Sequence, residues 1–404
     1  MKNIRQIKKV IILILFGIIL ISCTQEKELE FNTAQKQDNI VSEGLVKEIA
    51  SNFLFNSDNT SPKTKIEDKK IVKEIFPVKD KEGETLFYII NYEKKGFLIL
   101  SADKRISPIL AYSANNEFRT NAKSYSPGLE DWLSIIKETI RTARIKQIEQ
   151  TDEIKFEWDS FLHQTNPLDS NESNICDEVI ELVGPLLLTE WAQGCHYNTY
   201  MPPLRCWDTC NSAPVGCVPL AIGQIMKYHN YPLDYNWANM PNSRGSYTTA
   251  WFLRSIYDVI NEDNGISRTT CEVTGVKGNY NESRVFTDFF NYSSAERSNY
   301  DKEIIKQDLR LNKPVLLSGI TKIPSTGLIK KREGHMWVCD GLIRRTTCYF
   351  NSNGIQIISP FTTLSFHMNW GWGGYENGWY GYRSFDPSEY NFEYSIEMIH
   401  NIEP

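Results

Sequence analysis

Apolar positions along the chain change period several times, and each change marks an element. Val41, Leu45, Val46, Ile49 and Phe53 recur at helical spacing. Residues 86–92 and 96–101 are short runs rich in β-branched and aromatic side chains. The polar Glu93-Lys94-Lys95 between them predicts a hairpin. Trp132, Leu133, Ile136, Ile140 and Ala143 mark a long amphipathic helix. The periodicity then lapses. Residues 163–174 are polar and contain Pro167, the pattern of an exposed linker where proteases cut. Helical spacing returns at Val218, Ala221, Ile222, Ile225 and Met226 and stops at Tyr231-Pro232. Strand-like runs follow at 314–320, 335–342, 348–350, 354–359, 365–370 and 378–382. Helix first and sheet later is the order of an α+β fold.

The N-terminus adds a targeting signal. Lys2, Arg5, Lys8 and Lys9 precede an apolar core at 10–21, too short for a comfortable membrane span. That core ends in Leu20-Ile21-Ser22-Cys23, which resembles a bacterial lipobox. The resemblance implies cleavage before Cys23 and a lipid on the new terminal cysteine, followed by a polar tether. The chain is expected to be exported and held at a bacterial membrane or cell surface. The remaining length suffices for two domains. A net charge of −6 argues against nucleic acid as a partner.

Nine cysteines in an exported chain invite disulfides. Without Cys23 and Cys217, seven remain, so at least one is unpaired. Cys339, in the apolar run 336–339, is the choice for a buried free thiol. Cys195, Cys206 and Cys210 are close enough in sequence for one loop staple. Their spacing is irregular for zinc, and no metal or cofactor is expected.

Cys217 carries the chemistry. The loop-like Asn211-Ser212-Ala213-Pro214-Val215-Gly216 precedes it, and Pro219 fits only the first turn of a helix. A thiol at a helix N-terminus meets unpaired N–H groups and the positive end of the dipole, and both favour the nucleophilic thiolate. Such a nucleophile needs a base, and the base needs an orienting partner. His335 opens a strand after Gly334 and is the best base among six histidines. His229 lies about three turns along the same helix and is out of reach. His367 is the competitor. Asn369 can accept from an imidazole N–H, and Trp370 or Trp372 can cover that bond. Gln193 can donate to a developing oxyanion, together with the Cys217 N–H.

These residues, in the order Gln, Cys, His, Asn and Trp, follow papain-like proteases. Gly216-Cys217-Val218 with residues 224–229, Gly334-His335 with Asp340-Gly341, and residues 367–374 resemble the streptopain-like bacterial cysteine proteases. Residues 96–113 resemble that family's inhibitory propeptide. The resemblance implies a two-lobe protease domain at 178–404, with a helical lobe and an antiparallel β lobe. It further implies a small α/β propeptide at 41–160, acting as intramolecular inhibitor, and an activation linker at 161–177. Residues 1–22 would be the signal and 23–40 the tether. Cys217 would be nucleophile, His335 base, Gln193 oxyanion donor and Asn369 orienter, with Trp370 and Trp372 as cover. The substrates would be proteins or peptides. Met336 and a long segment at 343–366 depart from the family pattern. The alternative is a non-catalytic lipoprotein that keeps the fold and binds peptides or a host protein.

Overall fold

Ser42, Ser126, Ser246 and Asp301 each accept a backbone N–H at the start of a helix. Such caps are worth about 1 kcal/mol each. The computed structural model describes residues 39–53, 55, 70–165, 174–320, 322–323, 330–331, 335–350, 356–381 and 395–404. The signal segment, Cys23, Gly334 and residues 166–173 of the expected linker lie outside them.

The elements in chain order are α1 (Glu43–Asn52), β1 (Val72–Lys79), β2 (Thr85–Tyr92), β3 (Phe97–Ser101), β4 (Ile109–Ser113), α2 (Pro127–Ile145), α3 (Asp152–Thr165) and β5 (Asn174–Val183). Then come α4 (Cys217–His229), α5 (Tyr247–Glu262), β6 (Ile266–Thr269), β7 (Thr274–Val276), β8 (Ser294–Asn299), α6 (Lys302–Arg310) and β9 (Val315–Ile320). The last are β10 (Lys322–Ile323), β11 (Lys330–Lys331), β12 (His335–Phe350), β13 (Gln356–Asn369), β14 (Gly378–Gly381) and β15 (Ser395–Glu403). The architecture is α+β.

One antiparallel sheet runs through both units in the order β1-β2-β3-β4-β14-β13-β12-β9-β15-β8, with β5 also paired to β12. The join is β4 against β14, where Tyr112 faces Trp379 and Ala111 faces Tyr380. The predicted hairpin is β2–β3, and α2 carries the predicted Trp132–Ala143 stripe.

Strand alternation divides the core. Leu129, Trp132, Ile136 and Ile140 of α2 pack on Leu317, Trp337, Met368 and Trp370. On the other face, Leu316, Met336 and Val338 pack with Ile222 and Ile225 of α4 and with Phe252, Leu253 and Ile256 of α5. A third cluster holds α1 and α3 against Tyr88, Ile90, Leu98 and Leu100.

Two stretches differ from the sequence reading. The runs at 335–342 and 348–350 are one strand, β12, and within the long 343–366 segment residues 343–350 and 356–366 lengthen the β12–β13 pairing. The expected linker is shorter at both ends. Ile154, Trp158 and Phe161 give α3 an apolar stripe that carries it to Thr165. From Asn174 the backbone is hydrogen-bonded to β12 as β5, a capture that needs no apolar pattern.

Candidate active site

Gly216 caps α4 at φ +91°, in the left-handed region. A Cβ there would lie 2.7 Å from the Thr274 carbonyl oxygen. Thr274 Oγ1 in turn donates to the Pro214 carbonyl at 2.6 Å. The loop before the nucleophile is therefore held from one side. Disulfides Cys195–Cys210, the expected loop staple, and Cys206–Cys271, which the sequence did not single out, tie it further. Loop-closure entropy puts them at roughly 3 and 4 kcal/mol. Cys339 is free and buried. Cys176 and Cys348 are register partners across β5 and β12, with side chains outside the described set.

Cys217 is the first residue of α4, and its thiol is half-buried against the backbone of Met336, with Val218 and its own N–H beside it. Burial pushes the thiol up to about 11, while these backbone bonds pull the other way. Helix-end activation, expected from sequence, is thus overridden by desolvation in this state. Val215 donates to the Gln193 carbonyl at 2.9 Å, which fixes Gln193 beside the nucleophile loop.

His335 opens β12 and is 2 % exposed. Its ring stacks on Trp337, centroids 6.1 Å apart and planes 15° from parallel. The ring bonds to the Trp370 backbone, while Nε2 has no partner. The bond therefore falls to Nδ1, which leaves the Nε2 lone pair free. Burial lowers the imidazole to about 3. Thiol and imidazole meet neighbouring residues of one strand from opposite sides. Cys217 contacts Met336, and His335 lies on the Trp337 side.

Asn369 does not hold the ring directly. Its Nδ2 donates to the Thr189 carbonyl at 2.7 Å, and its Oδ1 accepts from Gly371 N–H and Gln224 Nε2. Gln224 Oε1 accepts from Thr189 Oγ1 at 2.9 Å. This network fixes the turn whose next carbonyl, that of Trp370, orients His335. Trp370 is buried, 5.3 Å from Trp337. Trp372 is half-buried and lies at Arg119 instead, 5.4 Å from the guanidinium. Sequence reasoning gave no role to Trp337 or Gln224. The signals were there: Trp337 is two residues along a strand from His335, and Gln224 is two helical turns beyond Cys217.

The competitor His367 is engaged elsewhere. Its Nδ1 lies 2.6 Å from Asp340 Oδ1, and Asp340 Oδ2 accepts from Leu187 N–H. His367 sits opposite Gly341, five strand residues or about 16 Å from Met336.

The chain is similar to known proteins. Residues 38–140 match the Spi protease inhibitor model, and 191–234 and 233–380 match the Peptidase C10 family. Streptopain of Streptococcus pyogenes is 27 % identical over 353 residues, 74 % of this chain and 75 % of its own. The thiol protease/hemagglutinin PrtT of Porphyromonas gingivalis is 25 % identical over 339 residues, and this chain spans a third (33 %) of its length. A prointerpain A fragment of Prevotella intermedia shares the fold at TM-score 0.54 and 20 % identity, covering 82 % of this chain and 99 % of the fragment. This chain is a streptopain-like cysteine protease of the C10 family, carrying its propeptide.

The propeptide of this streptopain-like protease presses on the histidine side. Gly128, in the first turn of α2, leaves space for the rings: a Cβ there would lie 2.7 Å from Trp337 and 3.0 Å from Trp370. The loop before α2 clasps the turn after Trp370. Arg119 pairs with Glu376, Asn116 Nδ2 donates to the Asn377 carbonyl, and Glu376 N–H donates to the Glu117 carbonyl.

Proposed function

We propose that this chain is the exported, lipid-anchored zymogen of a cysteine endopeptidase that hydrolyses protein or peptide substrates through Cys217 and His335. The observation that carries the reading is the thiol at the α4 N-terminus, against the backbone of Met336, the next strand residue after a His335 whose Nε2 is free. In the active enzyme the His335 ring turns from the Trp337 side to the thiol, and Nε2 takes the thiol proton. The thiolate attacks the peptide carbonyl carbon. The Gln193 amide and the Cys217 N–H hold the oxyanion. The imidazolium then protonates the leaving amine, which departs and leaves a thioester. Water, deprotonated by Nε2, cleaves the thioester and restores the thiol.

Asn369 acts at one remove in this scheme, through the turn that aims the Trp370 carbonyl. The propeptide keeps the dyad apart until the chain is cut between 164 and 177. A cut ahead of Asn174 leaves β5 with the protease. Lipid on Cys23 would then anchor the propeptide, and the protease stays at the membrane only while the two remain docked. Incorporation of labelled palmitate into the wild type but not Cys23→Ser checks the anchor.

The deciding experiment compares residues 23–404 bearing Cys23→Ser with the same protein also bearing Cys217→Ala. Both are incubated in reductant with an epoxide cysteine-protease probe while mass is followed. Probe uptake and shortening near 164–177 are expected only where Cys217 is present. Hydrolysis by the Cys217→Ala protein would sink the assignment, and labelling of neither, even after the propeptide is clipped, points to a binding scaffold.

A further inference from the structure

The site that Arg119 enters takes its carboxylate and both rings from the protease side. Arg119 Nε and Nη2 donate to Glu376 Oε1 and Oε2 at 2.8 and 2.7 Å, a two-pronged pair, and its backbone N–H adds a third bond at 3.1 Å. The guanidinium lies 4.5 Å from the Tyr375 ring and 5.4 Å from that of Trp372. Protease contacts also hold these walls, beside the Asn116 and Glu117 bonds of the propeptide. Glu376 sits in a left-handed turn at φ +60°, and its carbonyl accepts from Tyr380 OH at 2.5 Å. Asn377 Oδ1 accepts from the Trp370 N–H at 2.9 Å. Gly373 N–H donates to the Trp191 carbonyl at 3.0 Å, two residues before Gln193. The socket therefore adjoins both the residue that orients His335 and the segment that carries Gln193.

A carboxylate that meets a cation lying over two aromatic rings selects for the shape of that cation. Guanidinium matches the carboxylate in two parallel bonds and stacks on aromatic rings, whereas an ammonium does neither as well. When the propeptide leaves, Glu376, Trp372 and Tyr375 remain and the guanidinium goes. The carboxylate is 1 % exposed in the zymogen and loses its ion-pair partner.

Resting on the protease reading above, we propose that this socket is a substrate subsite for an arginine side chain, which Arg119 occupies in the zymogen in the substrate's place. The subsite accepts arginine at one fixed position relative to the scissile bond.

The test uses the full chain with Arg119→Gln, activated by cleavage of the linker so that the propeptide cannot refill the socket. Fluorogenic peptides that differ only in arginine or neutral citrulline are compared, with that residue moved through three positions on either side of the cleaved bond. At one position kcat/KM for arginine should exceed citrulline about tenfold, and adding Glu376→Gln should bring the ratio towards one. A ratio within twofold at every position before that change overturns the subsite, whether or not the Glu376→Gln protein folds. The same peptide pairs are titrated by fluorescence anisotropy into the clipped Cys217→Ala protein. Arginine-selective binding without hydrolysis in the active form sinks the protease reading and supports the socket. Hydrolysis without arginine selectivity does the reverse.

Discussion

The two faces of β12 belong to different partnerships. Met336 and Val338 enter a core whose members all come from residue 187 onwards. Trp337 and Cys339 enter a core shared with α2 and the propeptide strands. Cys217 lies on the first face and the His335 ring on the second. A face made by the protease alone keeps its packing when the propeptide goes. A shared face loses half its cover, and the histidine is the group set free. On the proposed reading, latency is a property of packing, not of a missing residue.

The sharpest break of this comparison is to remove the histidine on each side of it. His335→Asn should lower kcat/KM by at least about 10³-fold, as loss of a member of a nucleophile–base unit does, with little change in Tm. His367→Asn removes the ring packed on Trp379, keeps at best an amide bond to Asp340, and should cost about 2 kcal/mol of stability. The folded fraction of that variant should still cleave. If His367→Asn abolishes activity at unchanged Tm, the base has been assigned to the wrong strand.

Next in size is the state of the thiol. Alkylation of Cys217 in the unprocessed chain should be slow at pH 7 and rise towards pH 11, because burial holds the thiol up. After the propeptide is removed, His335 can pair with it, and the reactivity midpoint should fall by two pH units or more. That is about a hundredfold gain at neutral pH. An unchanged midpoint would mean that the propeptide does not keep the dyad apart.

Much of this was legible in the sequence, for a reason that differs by element. The β2–β3 hairpin, α2 and α4 show because each buries one face and so carries a period. Cys217 and His335 show because Gly216, Pro219 and the following strand leave them few other places. β5 was hidden because its backbone pairing to β12 and the Glu181 pairs with Arg310 and Arg344 leave no local period, and α3 because three apolar positions were lost in a polar stretch. The role given to Asn369 was a contact that sequence cannot measure. Its amide is used by Thr189, Gln224 and Gly371, and the neighbouring carbonyl does the orienting. The Arg119–Glu376 pair spans 257 residues, and nothing local announces it.

Acid should distinguish the two faces in a graded way. His335 is lowered to about 3 on the shared face, and His229, beside Tyr292 in the protease's own core, to about 4. Both lie below the ordinary value near 6.5, so the unfolded chain binds more protons between about pH 6.5 and these values. Their contribution is complete above about pH 6.5 and is lost as pH falls towards 4 and then 3. Each can remove up to about 1.4 kcal/mol per pH unit in that window. Urea midpoints of the Cys217→Ala zymogen at pH 7, 5 and 4 should fall in step. The clipped protease should keep the His229 share and lose the His335 share. Equal slopes before and after clipping would show that the propeptide does not bury His335.

The smallest effect tests the shared face at one atom. Gly128 lies in the first turn of α2, and alanine is the better helix former by about 1 kcal/mol, less at a helix end. In open space Gly128→Ala would stabilise the zymogen. Here the new Cβ would sit 2.7 Å from the Trp337 ring and 3.0 Å from Trp370, both buried. Overpacking costs about 1–3 kcal/mol, so the net change should be a loss of about 1 kcal/mol. Because the strain falls on the rings that hold His335, probe labelling of Cys217 in the unprocessed chain should rise at the same time. The clipped protease from this variant should behave as wild type, since residue 128 leaves with the propeptide. A Tm that rises would show that α2 can back away from the rings without disturbing the site, and would move the seat of latency from Gly128 to the Arg119 clasp.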